Sequence, residues 1–124
     1  MSPLDYYIKV IHQYADFEGR ARRAEYWNYV WINIVAVIAC IMPIFIHRVF
    51  VFIPFLYLVG TFIPSLAVAI RRLHDTNKSG WWYLLSFVPM GGIVLFIFMV
   101  IEGDDGDNDY GPDPKEEEYY EEAY

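Results

Sequence analysis

The stretch from Pro64 to Trp82, PSLAVAIRRLHDTNKSGWW, decides how the rest of the chain is organised. It begins inside an apolar segment, passes through two arginines and a His-Asp pair, and reaches two tryptophans after a short polar turn. Cations suit both the carboxyl end of a helix and the inner surface of a membrane. We therefore predict a loop at a membrane surface, with a membrane-spanning helix on each side of it.

The apolar segments around this loop are long enough to cross a bilayer. Three windows contain no Asp, Glu, Lys or Arg, and they cover residues 26–46, 49–70 and 81–101. Each has 21 or 22 residues, and a helix of that length, at a rise of about 1.5 Å per residue, spans a hydrocarbon core of roughly 30 Å. Of the 124 residues, 56% are apolar and 19% are aromatic. The predicted fold class is an all-α integral membrane protein with three transmembrane helices.

A shorter helix is predicted before the first span. Leu4, Tyr7, Ile8 and Ile11 recur at helical spacing, and polar residues occupy most of the opposite side. This pattern over residues 4–16 is typical of an amphipathic helix that lies in the headgroup plane. A helix packed on a partner protein has the same pattern, so both interpretations stay open.

Lysine and arginine are distributed unequally between the two predicted sides of the membrane. Three spans place segments 1–25 and 71–80 together, with seven bases, whereas the other side has only Arg48 and Lys115. Cytoplasmic segments carry the excess of bases in membrane proteins. The sequence therefore predicts a multi-pass protein with its N-terminus in the cytoplasm and its C-terminus outside.

Basic residues on the predicted inner face form the candidate site. Arginine side chains beside a His-Asp pair suit the headgroup of an anionic lipid or another phosphate-bearing ligand. In a purely structural alternative, the same residues only anchor the helices at the interface. The candidate ligand residues are Arg20, Arg22, Arg23, Arg71, Arg72, His74, Asp75 and Lys78, and the candidate interface anchors are Trp27, Trp31, Trp81 and Trp82.

The sequence shows no motif for catalysis. It lacks a nucleophile with a base and an orienting group, a metal-ligand spacing and a phosphate-binding loop. We predict a non-enzymatic membrane component, without cofactor, metal or nucleic acid, that binds the bilayer's anionic phospholipid headgroups or a membrane protein, including a second copy of itself. One alternative is a subunit of an oligomeric transporter or channel, suggested by proline and glycine breaks in all three spans. Another is a lipid-modifying enzyme that uses His74 and Asp75.

The C-terminal region has a different composition from the predicted membrane domain, residues 1–102. Residues 102–124 contain eleven acids and one base, Lys115. Such a segment has too little apolar surface to fold by itself, which predicts a flexible, disordered acidic tail over residues 103–124. Asp105, Asp107, Asp109 and Glu116 match part of a calcium-binding loop, but the glycine that such a loop requires is displaced by one position.

Three motifs resemble one protein family. They are FEGRARRAEYW at residues 17–27, IPSLAVAIRRLHDTNKSGWW at 63–82 and NDYGPDP at 108–114. Together they closely resemble the domain-of-unknown-function family 805, whose members are small bacterial inner-membrane proteins. The resemblance implies a multi-span protein of the inner membrane and implies no activity. Family members usually have a basic residue before the Tyr-Gly of the last motif, where this chain has Asp109.

Overall fold

The framework of the fold is helical. The structure is a computed structural model that describes residues 2–114, and this part of the chain contains no β-strand. Its α-helices are α1 (Pro3–His12), α2 (Arg23–Ile41), α3 (Phe52–Asp75) and α4 (Gly91–Val100). Short 3₁₀ segments cover Met42–Phe45 and Arg48–Val51, and a longer one covers Gly80–Phe87.

Helix α1 lies across α2 and α3 and is shorter than the predicted range 4–16. Ser2 caps its first turn, because the hydroxyl accepts from the Asp5 amide at 3.2 Å while the Asp5 carboxylate accepts from the Ser2 amide at 2.9 Å. The hydrogen bonds from the backbone and side chain of Ser2 lower the pKa of Asp5. Tyr6 and Val10 are buried, and Val10 packs with Tyr29 and other residues of a small apolar core. Leu4 and Ile8, two residues of the predicted apolar stripe, are 55% and 44% exposed, so only one side of the apolar surface of α1 packs on the protein.

Two continuous helical stretches are long and apolar enough to cross a membrane. They cover Arg23–Phe45 and Arg48–Asp75. Only 6% and 17% of the residues in their apolar windows are buried inside the protein, whereas the core helix of a soluble protein is mostly buried. Most apolar side chains of these two stretches therefore face outward, as they do in a lipid environment.

The third apolar window is divided into two pieces and is not a single helix. Val88, after the Gly80–Phe87 segment, is extended, and Met90 has a left-handed backbone with φ of 68°. The chain is tightly packed at this break, since a Cβ on Gly91 would lie 2.0 Å from the carbonyl oxygen of Leu85. We call residues 80–100 the apolar hairpin.

Both ends of the apolar hairpin lie at the carboxyl end of α3. The rings of Trp82 and Phe98 meet edge-on with centroids 5.7 Å apart, and Nε of Arg72 donates to the carbonyl of Met99 at 3.2 Å. Eight residues at about 2.0 Å and ten at about 1.5 Å extend each arm by roughly 15 Å, about half of a 30 Å hydrocarbon core. The structure thus differs from the prediction of a third spanning helix over 81–101, because the segment turns back halfway.

The first part of the predicted flexible tail packs against the end of α3. We call residues 103–113 the cap segment. The amide of Asp104 donates to the carbonyl of Asp75 at 2.8 Å, and Nδ2 of Asn108 donates to the carbonyl of His74 at 2.9 Å. The structure thus gives this part of the predicted flexible tail, 103–124, specific contacts with α3, and the rest, residues 115–124, lies outside the described residues.

The cap segment also shows that the N-terminal and C-terminal parts of the chain meet. Arg20, which precedes α2, donates to the carbonyl of Gly106 at 2.6 Å. A chain with three complete crossings would hold these residues on opposite sides of a bilayer. In this structure the described end of the chain therefore lies beside the segment that precedes α2.

Candidate functional site

Asp75 is the centre of a buried group of charges. Its Oδ1 accepts from Nε of Arg20 at 3.0 Å, and its Oδ2 accepts from Nη1 of Arg72 at 2.9 Å. All three side chains are at most 1% exposed. A single carboxylate thus lies between two guanidiniums that come from different parts of the chain.

Backbone carbonyls satisfy the other nitrogens of these two arginines. Nη2 of Arg20 donates to the carbonyl of Asp104 at 2.5 Å, and its Nη1 donates to the cap segment. Nη2 of Arg72 donates to the carbonyl of Ile101, at the end of the apolar hairpin. The two guanidiniums therefore hold the cap segment and the hairpin in place as well as pairing with Asp75.

A second ion pair lies between α2 and α3, on the side that α1 covers. Oε1 of Glu25 accepts from Nη1 of Arg71 at 3.0 Å, while its Oε2 accepts from Nζ of Lys9 at 3.3 Å. Nη1 of Arg71 also donates to Oε1 of Gln13 at 2.6 Å. The Glu25 side chain is fully buried and that of Arg71 is 2% exposed. We call Arg20, Glu25, Arg71, Arg72 and Asp75 the ion-paired cluster.

A tight turn ends α3 directly after the residues that it contributes to the ion-paired cluster. Asn77 has a left-handed backbone with φ of 59°, and the amides of Asn77 and Lys78 donate to the carbonyls of His74 and Leu73. This is the Schellman pattern, in which an Asn or Gly in the left-handed conformation ends the helix. The predicted surface loop therefore starts five residues later than residue 71, and Arg71, Arg72 and Asp75 belong to the last turns of α3.

His74 has a structural environment. Its ring stacks on that of Tyr110 with centroids 4.0 Å apart, and its Nδ1 is 2.9 Å from the carbonyl oxygen of Gly19. The neighbouring Asp75 carboxylate faces the two arginines. The His-Asp pair that an acid-base mechanism would need is thus engaged in contacts that tie the cap segment and the α1–α2 loop to α3.

The structure separates the predicted basic residues into two groups. Arg20, Arg71 and Arg72 are buried and ion-paired, so their charges are directed into the protein. Arg23 is exposed, with Nη1 bonded to the carbonyl of Val100 at 3.2 Å. Lys78 is partly exposed and lies 4.6 Å from the centre of the Phe98 ring. Arg22 is partly exposed and has interaction partners of its own.

Three of the four predicted interface anchors have open indole rings. Trp31, Trp81 and Trp82 are 63%, 77% and 46% exposed. Trp27 is half-buried instead, and its Nε1 donates to the carbonyl of Met99 at 2.8 Å. Trp27 therefore connects α2 to α4.

Sequence reasoning missed the role of Glu25. The motif at residues 17–27 contains Glu25 without suggesting a function for it, whereas the fold buries this carboxylate against Arg71 and Lys9. The available signal was a lone carboxylate among arginines directly before an apolar window, where an unpaired charge is costly. Within residues 2–114 there is no group of three or more His, Cys, Asp or Glu side chains that could hold a metal ion.

Comparison with known proteins identifies a family and several curated relatives. The family model described as "Protein of unknown function (DUF805)" matches residues 14–112. "Inner membrane protein YhaI" of Escherichia coli strain K12 is 47% identical over 114 residues, which covers 90% of this chain and 97% of the relative. "Inner membrane protein YhaH" of the same strain is 36% identical over 121 residues, covering 90% and 98%. No solved structure matches.

Proposed function

Because the chain belongs to DUF805, a family of proteins of unknown function, we propose that it is a non-enzymatic protein of the bacterial inner membrane that binds anionic phospholipid. Two relatives are named as inner membrane proteins. The outward-facing apolar surfaces of α2 and α3 support the same environment for this chain. The engagement of His74 and Asp75 in structural contacts supports a role other than catalysis.

We place both described ends of the chain in the cytoplasm. Helices α2 and α3 cross the membrane, and the apolar hairpin enters the cytoplasmic leaflet and returns. Among the described residues, the end of the protein that holds the ion-paired cluster has seven bases, whereas the opposite end has Arg48. The seven are Lys9, Arg20, Arg22, Arg23, Arg71, Arg72 and Lys78. This imbalance supports the cytoplasmic assignment.

The observation that carries lipid binding is the exposure of Arg23 at the first turn of α2. Its neighbours Arg71 and Arg72 are neutralised inside the protein, so they contribute little to the outer surface. Arg23 and the partly exposed Lys78 remain accessible at the end of the protein where the hairpin begins with the exposed Trp81 and Trp82. Bases at this level attract anionic headgroups by about 1 kcal/mol each.

We expect the double variant Arg23→Gln, Lys78→Gln to lose most of the preference for phosphatidylglycerol over phosphatidylcholine. At about 1 kcal/mol for each base, the relative association constant falls roughly fivefold for each replacement. The protein is placed in nanodiscs that contain both lipids, and the preference is measured with spin-labelled lipids.

Arg48→Gln is the matched control, because it removes a base at the opposite end of the two long helices and leaves the cytoplasmic rim intact. A double variant that keeps the parent's lipid preference at low salt contradicts the proposal. Salt at 1 M shortens the screening length to about 3 Å and reduces the preference of the parent protein.

A further inference from the structure

A groove lies between α2 and α4, directly below Arg23. Its volume is about 540 Å³, and its walls are formed by Arg23, Ala24, Trp27, Phe96 and Val100. Apart from the guanidinium at one end, every lining side chain is apolar. The groove therefore combines one positive charge with an apolar wall, which complements the anionic phosphate and the apolar acyl chain of a phospholipid.

The direction of the groove matches the direction of a lipid in a leaflet. Arg23 and Val100 lie at the level of the ion-paired cluster, where charged groups meet the headgroups. Trp27 and Phe96 lie one turn further along their helices, towards the tip of the hairpin. A lipid whose phosphate contacts Arg23 would thus place an acyl chain alongside Trp27 and Phe96.

The walls of the groove are held in place. The indole of Trp27 donates to the carbonyl of Met99 at 2.8 Å, and its ring meets Phe96 edge-on with centroids 5.7 Å apart. Nη1 of Arg23 donates to the carbonyl of Val100 at 3.2 Å, which holds the guanidinium over the upper end of the groove. A guanidinium positioned in this way presents its remaining N–H groups to a phosphate.

We propose that this groove binds one phospholipid of the cytoplasmic leaflet, with the phosphate on Arg23 and an acyl chain between Trp27 and Phe96. The proposal rests on the membrane placement given above and adds a defined site to the general attraction between rim bases and anionic headgroups. Because the phosphate makes the contact, phosphatidylcholine and phosphatidylglycerol both fit the site.

The test uses Ala24→Phe, which fills the groove and leaves every charge in place. We expect native mass spectrometry of the parent, released from nanodiscs, to show a population that retains one phospholipid. Ala24→Phe and Arg23→Gln should each lose that population. Val100→Phe fills the groove from the opposite wall and serves as a second filling variant if Ala24→Phe unfolds.

Ala39→Phe is the matched control, because it makes the same substitution on the exposed surface of α2 far from the groove. Inorganic phosphate added to delipidated protein should give no bound species, since the acyl chain supplies the apolar contacts. A parent without a retained lipid overturns the proposal, as does a filled variant that folds and still retains it. Filled variants should keep the spin-label preference for phosphatidylglycerol, so the failure of this site is distinguishable from failure of lipid binding at the rim.

Discussion

Replacing Asp75 by Asn destabilises the protein by about 3–5 kcal/mol, the usual cost of removing one partner from a buried ion pair. The substitution keeps the size of the side chain and removes the carboxylate that, within residues 2–114, pairs with both Arg20 and Arg72. Its new amide group carries two N–H donors and meets guanidiniums that are themselves donors. Both arginines then keep buried charges that have lost their pairing with Asp75, at side-chain exposures of at most 1%.

The free energy of unfolding is measured by titrating the purified protein in mixed micelles with a denaturing detergent. Glu18→Gln is the control, because it removes one negative charge from an exposed position in the α1–α2 loop. Exposed charges of this kind contribute about 0–1 kcal/mol. If Asp75→Asn loses no more stability than Glu18→Gln, the ion-paired cluster does not hold the fold together.

A second large effect is expected for Gly103→Ala, at the start of the cap segment. A Cβ at this position would lie 1.8 Å from Oδ2 of Asp75, so the backbone must move away from α3. That movement breaks the hydrogen bond from the Asp104 amide to the Asp75 carbonyl. Overpacking of this kind costs about 1–3 kcal/mol, and it should detach the cap segment before the helices separate.

Limited proteolysis measures this detachment, since a released cap segment becomes a substrate for an added protease. We expect faster cleavage within residues 103–113 of Gly103→Ala than in the parent. Gly92→Ala makes the same change in α4, where a Cβ would meet no atom within 4 Å, and it should be cleaved like the parent. Equal cleavage of Gly103→Ala and Gly92→Ala would show that the cap segment does not pack against Asp75.

Helices α2 and α3 could be predicted from the sequence because their signal is local. Long apolar windows bounded by charges specify a helix that needs an apolar environment, and the structure has two such helices. The sequence also predicted that the residues around Arg71 and Asp75 lie near the N-terminal arginines, because counting spans placed segments 1–25 and 71–80 on the same side. Which arginine meets which carboxylate depends on helix packing, which no local pattern records.

Amino-acid composition does not distinguish the apolar hairpin from a membrane-spanning helix. Residues 81–101 meet the length requirement for a crossing. The reversal of the chain depends on backbone geometry between the two arms of the hairpin. Met90 has a left-handed backbone there, and Gly91 lies close to the Leu85 carbonyl. The sequence showed Pro89 and a pair of glycines there, which is also the signal of a kinked helix.

The contacts of the cap segment could not be predicted from side-chain composition, which is the basis of the expected disorder. The contacts that order it use the main chain, since carbonyls of Asp104, Gly106 and Gly111 accept from Arg20. Acidic side chains and glycines predict poor burial, and they say nothing about backbone acceptors near a buried guanidinium. The resemblance to the family motif at residues 108–114 was the better guide to an ordered segment.

In the proposed topology, the apolar hairpin returns to the side of the membrane that it leaves, so that both described ends of the chain lie on one side. Single cysteines are introduced at Ser2, Arg48 and Asp107 in a Cys40→Ala background, and spheroplasts are treated with a membrane-impermeant maleimide. We expect labelling of Arg48→Cys in intact spheroplasts and of Ser2→Cys and Asp107→Cys only after lysis. Labelling of Asp107→Cys in intact spheroplasts, with Ser2→Cys protected, would mean three crossings and would contradict this fold.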